Sequence, residues 1–180
     1  MNQSYLIGID IGTSACKVAL FDRSGCVLAA ANGDYPVYYP KEGWAEQNPE
    51  EWWSAVCGAV RQVIEEASVA PEEIAGVGID GQSWSAIAID RNGHVLTNTP
   101  IWMDTRAQSI CDRLNEEIGA EAIFEVAGNS LQPSYATAKI LWYKENLPEV
   151  YAKIDKILQS NSFIAFKLTG AVSQDLSQGY

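Results

Sequence analysis

Apolar and polar positions in the first thirty residues follow a pattern that predicts three short β-strands. Apolar residues dominate residues 5–11, 16–22 and 26–31, and Arg23-Ser24-Gly25 forms a turn between the last two segments. Connections this short require antiparallel neighbours. The sequence therefore predicts a meander of three strands at the start of the chain.

A helix is predicted after a loop rich in proline, tyrosine and glycine. Asn48 suits the N-cap and Pro49 the first helical position, while Glu50 and Glu51 place negative charge where the helix dipole is positive. The apolar residues that follow at helical spacing are Trp53, Val56, Val60, Val63, Ile64 and Ala67. A helix over residues 49–67 that buries this stripe is long enough for a crossover connection.

The rest of the chain contains a second group of strands and then a helical region. The predicted strands are residues 74–81, 85–90, 94–96 and 100–104. An Asn-Gly pair in the turn at residues 91–93 is a strong hairpin signal. The predicted helices are residues 107–118, 120–126, 135–146 and 160–168, with Gly170 as a C-cap. Local hairpins combined with a crossover helix favour an α/β domain with a central mixed sheet.

Composition narrows the functional classes. The 180 residues are 47% apolar and 10% aromatic, which is typical of one globular domain with a sizeable core. The net charge of −11 disfavours nucleic-acid binding, although backbone N–H groups and a divalent cation can still hold phosphates. Four scattered cysteines and one histidine give no local zinc motif. Without a signal sequence or a long apolar run, we expect a cytoplasmic protein that is not membrane-bound.

The turn after the first predicted strand is a candidate phosphate site. Gly12, Thr13 and Ser14 offer successive backbone N–H groups and hydroxyl donors, with Lys17 nearby. Asp10 lies in an apolar run, where a carboxylate is costly without compensation, and it could hold a hydrated Mg²⁺. The alternative is a solvated hairpin with an aspartate at a strand end. The Walker pattern GxxxxGK[ST] is absent.

A short motif recurs in the chain. GIDIG occupies residues 8–12 and GIDG residues 78–81. A recurrence this short arises easily by chance, so it does not establish a duplication, but the two segments could face one cleft.

Five segments in collinear order resemble the FGGY carbohydrate kinases, which belong to the actin, hexokinase and Hsp70 superfamily. They are IGIDIGTSACKVALFD, GWAEQNPEEWW, GIDGQSWSAIAID, IWMDTRA and TAKILWYKENLPEVYAKIDKIL. The resemblance covers essentially the whole chain and is nearest to the xylulose and gluconate kinase branch. It implies a ribonuclease-H-like α/β fold with flanking helices, in which residues 1–180 form a partial N-terminal sugar-binding domain without the C-terminal nucleotide-binding domain.

The resemblance also implies functional roles. Asp10 would lie near Mg²⁺ and the phosphates of ATP, and the turn formed by Gly12, Thr13 and Ser14 would line the γ-phosphate with Lys17 nearby. The residues that would approach the sugar are Gln82, Ser83, Trp84, Trp102, Asp104 and Arg106. Amides, carboxylates and aromatic faces are suitable sugar-binding groups. On residue types alone, the two tryptophans could equally be core residues, and the Asp-Arg pair a cap and a surface charge.

Two departures from the family pattern affect these expectations. Ser83 and Trp84 stand where xylulose kinases usually carry Met-His, which leaves the sugar open between D-xylulose, gluconate and another sugar or polyol. The family's catalytic base and adenosine site would lie beyond Tyr180, so no catalytic base is expected in these residues and we expect them to be inactive alone. A non-catalytic module that binds a sugar or a protein is the alternative. The resemblance also allows a homodimer of the full-length protein.

Overall fold

The structure is a computed structural model that describes residues 4–178. Two 3-10 turns lie at Pro71–Glu73 and Leu176–Gln178. The other elements, in chain order, are β1 (Tyr5–Ile11), β2 (Ala15–Phe21), β3 (Val27–Asp34), β4 (Glu46–Gln47), α1 (Pro49–Ala67), β5 (Ile74–Gly81), β6 (Ile87–Ile89), β7 (Thr99–Pro100), α2 (Gln108–Glu117), α3 (Ala120–Ala127), α4 (Ala136–Asn146), α5 (Pro148–Tyr151), β8 (Lys156–Leu158) and α6 (Ser160–Thr169).

The central sheet has four strands in the order β3-β2-β1-β5. β1, β2 and β3 form an antiparallel meander, whereas β5 runs parallel to β1. Because parallel neighbours need a crossover, α1 spans the distance between β3 and β5 and packs on β2 and β3. The mixed sheet and its crossover helix confirm the predicted α/β architecture.

The described part of the sheet has one buried face. In β1, Ile7, Ile9 and Ile11 point into the core, whereas Asp10 lies on the opposite face, because successive side chains of a strand alternate between faces. The helix α1 covers the buried face with Trp52, Val56, Ala59 and Val63, which are at most 3% exposed. Burying each large apolar side chain stabilises the fold by about 1.5–3 kcal/mol.

A second buried cluster lies beside the sheet and joins β6 to the helices α2 and α4. Its members are Ala86, Ala88, Ala107, Ile110, Cys111, Ala136, Ala138, Trp142 and Tyr143. Two short antiparallel pairs, β4 with β7 and β6 with β8, connect the loops around it. This cluster supports the loops that follow β5 and β7, which carry the candidate site.

The structure corrects several predicted elements. The predicted strand at 94–96 contains only an isolated bridge between Ile89 and Val95, and the predicted strand at 100–104 is replaced by β7 followed by a turn.

Trp52 and Ala59 lie at the centre of the buried stripe of α1, whereas the predicted Trp53 and Val60 lie at its edge and are only partly buried. The sequence pattern does not predict the short elements β4, α5 and β8. The strands β4 and β8 have only two or three residues and depend on distant partners, and the helix α5 is a single turn.

Candidate functional site

The turn between β1 and β2 has a backbone path that requires glycine. The Gly12 N–H donates to Ala15 O at 3.0 Å, and a Cβ on Gly12 would lie 2.9 Å from that same oxygen. Tyr35 Oη donates to Gly12 O at 2.7 Å, and burial raises the pKa of Tyr35, which keeps this hydroxyl a donor. The Tyr35 hydroxyl therefore fixes the main chain of the turn. Ser14 is exposed and Thr13 is half-buried.

Two glutamine side chains connect this turn to the loop after β5. Gln47, which is fully buried, donates from Nε2 to Thr13 O at 2.9 Å and to Pro36 O at 3.0 Å. Gln82 donates from Nε2 to Gln47 Oε1 at 2.9 Å. Gln82 N also donates to the last carbonyl of β1, Ile11 O, at 2.7 Å. The predicted phosphate turn and the predicted sugar-binding segment are thus adjacent in the structure.

Both candidate tryptophans lie at this junction. Trp102 is 43% exposed, and its Nε1 donates to Thr13 Oγ1 at 3.1 Å. Trp84 is half-buried and packs against Tyr135, with 5.1 Å between ring centroids. The alternative that residue types alone allowed was that both tryptophans are core residues. Neither of them is fully buried.

Asp104 and Arg106 form an ion pair behind the Trp102 loop. Asp104 is fully buried, and its Oδ2 accepts from Ala45 N at 2.7 Å and from Arg106 Nη2 at 2.8 Å. The Arg106 side chain is 3% exposed and also donates to Glu46 at 2.8 Å. Its guanidinium lies 3.8 Å from the centroid of the Trp44 ring. The pair is neither a simple helix cap nor a surface charge, because it anchors the loop from inside.

Lys139, for which the sequence predicts no role, contacts the loop that carries Trp84 and the loop that carries Trp102. It is fully buried on α4, and its Nζ donates to Trp84 O at 2.6 Å and to Ile101 O at 2.8 Å. Burial lowers the pKa of Lys139 to about 7. The sequence distinguishes Lys139 only by its place four residues before Tyr143, on the side of α4 that also carries Ala138 and Trp142, and it does not show what the lysine nitrogen binds.

The end of the described chain also reaches the site. Gln178, which is 7% exposed, donates from Nε2 to Ser83 Oγ at 3.2 Å. Ser160, at the start of α6, donates from Oγ to Gln82 O at 2.7 Å. These contacts join distant parts of the chain and have no local sequence signal.

The repeated motif brings two aspartates to the open face of the sheet. In the parallel register of β1 and β5, Asp10 is paired with Asp80, and across the antiparallel pair it faces Lys17. The Lys17 Nζ lies 4.0 Å from Asp10 Oδ2, and both side chains are more than half exposed. An open cavity of about 590 Å³ is lined by these three residues together with Phe21 and Asn32. The two motifs therefore do face one cleft.

Asp10 is a suitable group for a hydrated Mg²⁺, because the ion prefers oxygen ligands and retains several waters. Its carboxylate is 52% exposed and lies at the end of β1, beside the glycine turn. Among residues 4–178, no group of three or more His, Cys, Asp or Glu side chains could hold a metal by itself. Asp80, the partner of Asp10 in the parallel register, is the carboxylate next to it on the neighbouring strand.

In the part of the chain that the structure describes, none of the helices combines the length and the apolar character needed to cross a bilayer.

Comparisons with known proteins show what this chain is similar to. The family model for the FGGY family of carbohydrate kinases, N-terminal domain, matches residues 5–179. Xylulose kinase from Bacillus subtilis is 32% identical over 173 residues, which are 96% of this chain and 34% of that protein.

Solved structures share the fold of this chain. Gluconate kinase from Lactobacillus acidophilus has a TM-score of 0.90 and 29% identity, covering 98% of this chain and 35% of that one. Glycerol kinase from Plasmodium falciparum with ADP has a TM-score of 0.85 and 25% identity, covering 94% and 35% of the two chains. These likenesses confirm the ribonuclease-H-like fold.

This chain spans only 34–35% of the length of these three relatives. The family match, however, extends over nearly the whole sequence, and the alignment with xylulose kinase covers 96% of it. Together with the mixed sheet and the glycine turn, these findings show that the chain belongs to the FGGY family of carbohydrate kinases.

Proposed function

We propose that the full-length protein transfers the γ-phosphate of ATP to a hydroxyl of a small sugar or polyol, with D-xylulose as the first candidate. The observation that carries this proposal is the hydrogen bond of 3.1 Å from Trp102 Nε1 to Thr13 Oγ1. It joins an exposed aromatic face, which suits the C–H side of a sugar, to a turn that suits a phosphate. Phosphoryl transfer needs acceptor and donor side by side in this way.

On the phosphate side, the turn at Gly12 supplies backbone N–H groups, and Thr13 and Ser14 add hydroxyl donors. Lys17 is 72% exposed, so its ammonium is mobile enough to follow a phosphate oxygen. Asp10 would hold Mg²⁺ through bound waters. When bound, the ion neutralises charge that develops on the transferred phosphoryl group.

On the sugar side, Ser83, Trp84 and Trp102 are the proposed direct contacts, with Gln82 between them and the phosphate turn. The Ser83 hydroxyl can donate to or accept from a sugar hydroxyl. The two indoles can cover the apolar C–H face of the sugar.

Asp104 and Arg106 form a buried support beneath the proposed sugar site. Since Asp104 is fully buried and Arg106 is 3% exposed along its side chain, we assign them to positioning the Trp102 loop. Breaking a buried ion pair leaves an uncompensated charge, so this loop is strongly fixed.

We further propose that residues 1–180 do not turn over ATP by themselves. Phosphoryl transfer requires charge stabilisation from both sides of a closing cleft and a group that accepts the hydroxyl proton. The site described above supplies phosphate donors and sugar contacts, and we assign no proton acceptor among them.

The test is a coupled ATP-consumption assay of the full-length protein with D-xylulose, gluconate and glycerol, run in parallel on residues 1–180. We expect turnover with at least one substrate for the full-length protein and none above background for the shorter chain. Turnover by residues 1–180 would overturn the inactivity proposal. Absence of turnover by the full-length protein, together with no calorimetric binding of any sugar, would overturn the proposed function.

Substituting Asp10 tests its assigned role in the same assay. Asp10→Asn should lower kcat at least about tenfold and raise the Mg²⁺ concentration needed for half-maximal rate, because a metal-positioning carboxylate is lost. Its unfolding midpoint should not change, since the side chain is 52% exposed. Asp112→Asn, at an exposed position on α2, is the matched control and should keep full activity.

A further inference from the structure

The wall segment, residues 82–86, contains two of the proposed sugar contacts, and side chains of α4 bind its main-chain carbonyls. Lys139 Nζ donates to Trp84 O at 2.6 Å. One turn further along α4, Tyr143 Oη donates to Ala86 O at 2.9 Å. Both side chains are at most 1% exposed, so these hydrogen bonds form away from water. The path of the wall segment is therefore set by α4.

The same lysine nitrogen also binds the second tryptophan loop. Lys139 Nζ donates to Ile101 O at 2.8 Å, and Ile101 directly precedes Trp102. A single side-chain atom thus connects the main chain at Trp84 to the main chain next to Trp102. The main chain beside each indole is therefore bound to the same buried nitrogen.

Trp84 has a backbone conformation that needs such support. Its φ is +65°, in the left-handed region that side chains other than glycine rarely adopt. A residue in this region persists only when its surroundings hold it there, and such residues concentrate at functional sites. In this structure the Trp84 carbonyl is held by Lys139 and its ring packs against Tyr135.

The charges around Lys139 come from the loop after β7. Asp104 favours the ammonium form, whereas Arg106 and burial oppose it, and burial is the largest effect. In either protonation state the nitrogen has at least two N–H bonds, which match the two carbonyls that it contacts. Because burying an amine is costly, a lysine at this position indicates a requirement for both hydrogen bonds.

We propose that Lys139, with Tyr143, is a positioning residue for the sugar substrate, fixing the spacing of Trp84 and Trp102 by binding the carbonyls beside them. This inference rests on the proposed kinase function. Neither side chain touches the substrate, so both act through the two tryptophans. Loss of either contact should weaken sugar binding and leave nucleotide binding unchanged.

The experiment is steady-state kinetics of the full-length protein with D-xylulose and ATP, or with the substrate that the panel identifies. Lys139→Met should raise KM for the sugar about tenfold, and Tyr143→Phe about threefold, because buried hydrogen bonds to the wall segment are lost. KM for ATP should stay within twofold in both variants. A purely structural effect would instead lower the amount of active enzyme and leave both KM values unchanged.

Lys167→Met is the matched control, because it removes a half-buried ammonium that pairs with Glu50 and lies 5.7 Å from the Trp53 ring, both on α1 and not in the loops of Trp84 and Trp102. Its KM values should equal those of the wild type. If Lys139→Met does not fold, Tyr143→Phe decides alone: an unchanged KM for the sugar overturns the inference and a raised one supports it. Wild-type inactivity on every substrate would refute the kinase proposal instead, so the two failures are distinguishable.

Discussion

Gly12 shows how one residue fixes the geometry of the turn between β1 and β2. A Cβ at this position would lie 2.9 Å from Ala15 O, a backbone atom that cannot move away without opening the turn. We therefore expect Gly12→Ala to lower the free energy of unfolding by about 1–3 kcal/mol. Urea unfolding measures this change, and the KM for ATP should rise in the same variant.

Gly58→Ala is the control for this substitution. A Cβ on Gly58, in the middle of α1, would meet no atom within 4 Å. Since alanine has the higher helix propensity, this change should stabilise the protein by about 0.5–1 kcal/mol. Equal effects of the two substitutions would contradict the assigned role of Gly12.

Lys139 gives a pH dependence with a defined sign. Burial lowers its pKa to about 7 in the folded protein, from an ordinary value of 10.5. Between these two values the unfolded chain binds a proton that the folded chain does not, so rising pH favours folding. Relative to Lys139→Met, wild-type stability should increase by about 1 kcal/mol per pH unit between roughly pH 7.5 and 9.5. Urea unfolding across this range measures the difference, and a constant difference would show that Lys139 does not titrate there.

At the scale of elements, the start of α1 is defined by its cap. The Asn48 side chain accepts from Glu50 N at 3.0 Å, and Pro49 occupies the first helical position. Replacing Asn48 by alanine removes the acceptor, so we expect a loss of about 1 kcal/mol in the free energy of unfolding.

Asn48→Asp keeps an acceptor at the N-cap and should remain within about 0.5 kcal/mol of the wild type. Thermal or urea unfolding of both variants tests the cap. If the aspartate variant is as unstable as the alanine variant, packing around residue 48 rather than capping determines the stability of this helix end.

The elements that could be predicted from sequence are those with a strong local signal. Periodicity and caps gave β1, α1 and β5 with their observed bounds, and Gly170 indeed ends α6 in the left-handed conformation. The strand β8 was missed because its three residues are stabilised by pairing with β6, far away in sequence. Similarly, nothing local to Lys139 indicates that its nitrogen binds carbonyls more than thirty residues away.

At the scale of the whole molecule, the chain carries a large excess of negative charge. The sequence has 23 acidic and 12 basic residues, giving a net charge of −11. Self-repulsion of this charge opposes the compact state, and salt screens it. We therefore expect the free energy of unfolding in urea to rise by on the order of 0.5 kcal/mol when NaCl increases from about 20 to about 200 mM.

A variant with fewer charges provides the control for this prediction. Glu65, Glu72 and Glu116 are exposed, and replacing all three by glutamine removes three negative charges without touching the core. The salt effect should become smaller in this variant. An undiminished effect would indicate that specific ion binding, rather than net charge, stabilises the protein at higher salt.

The wall segment has a consequence for how substrate preference can change in evolution. Its path is held through carbonyl groups, by Lys139 at Trp84 and by Tyr143 at Ala86, and every residue type provides a carbonyl. Side chains within this segment can therefore be exchanged while the backbone route is preserved. For the proposed sugar site this means that exchanges at positions 83 and 84 would change the groups offered to a substrate while the backbone route is kept.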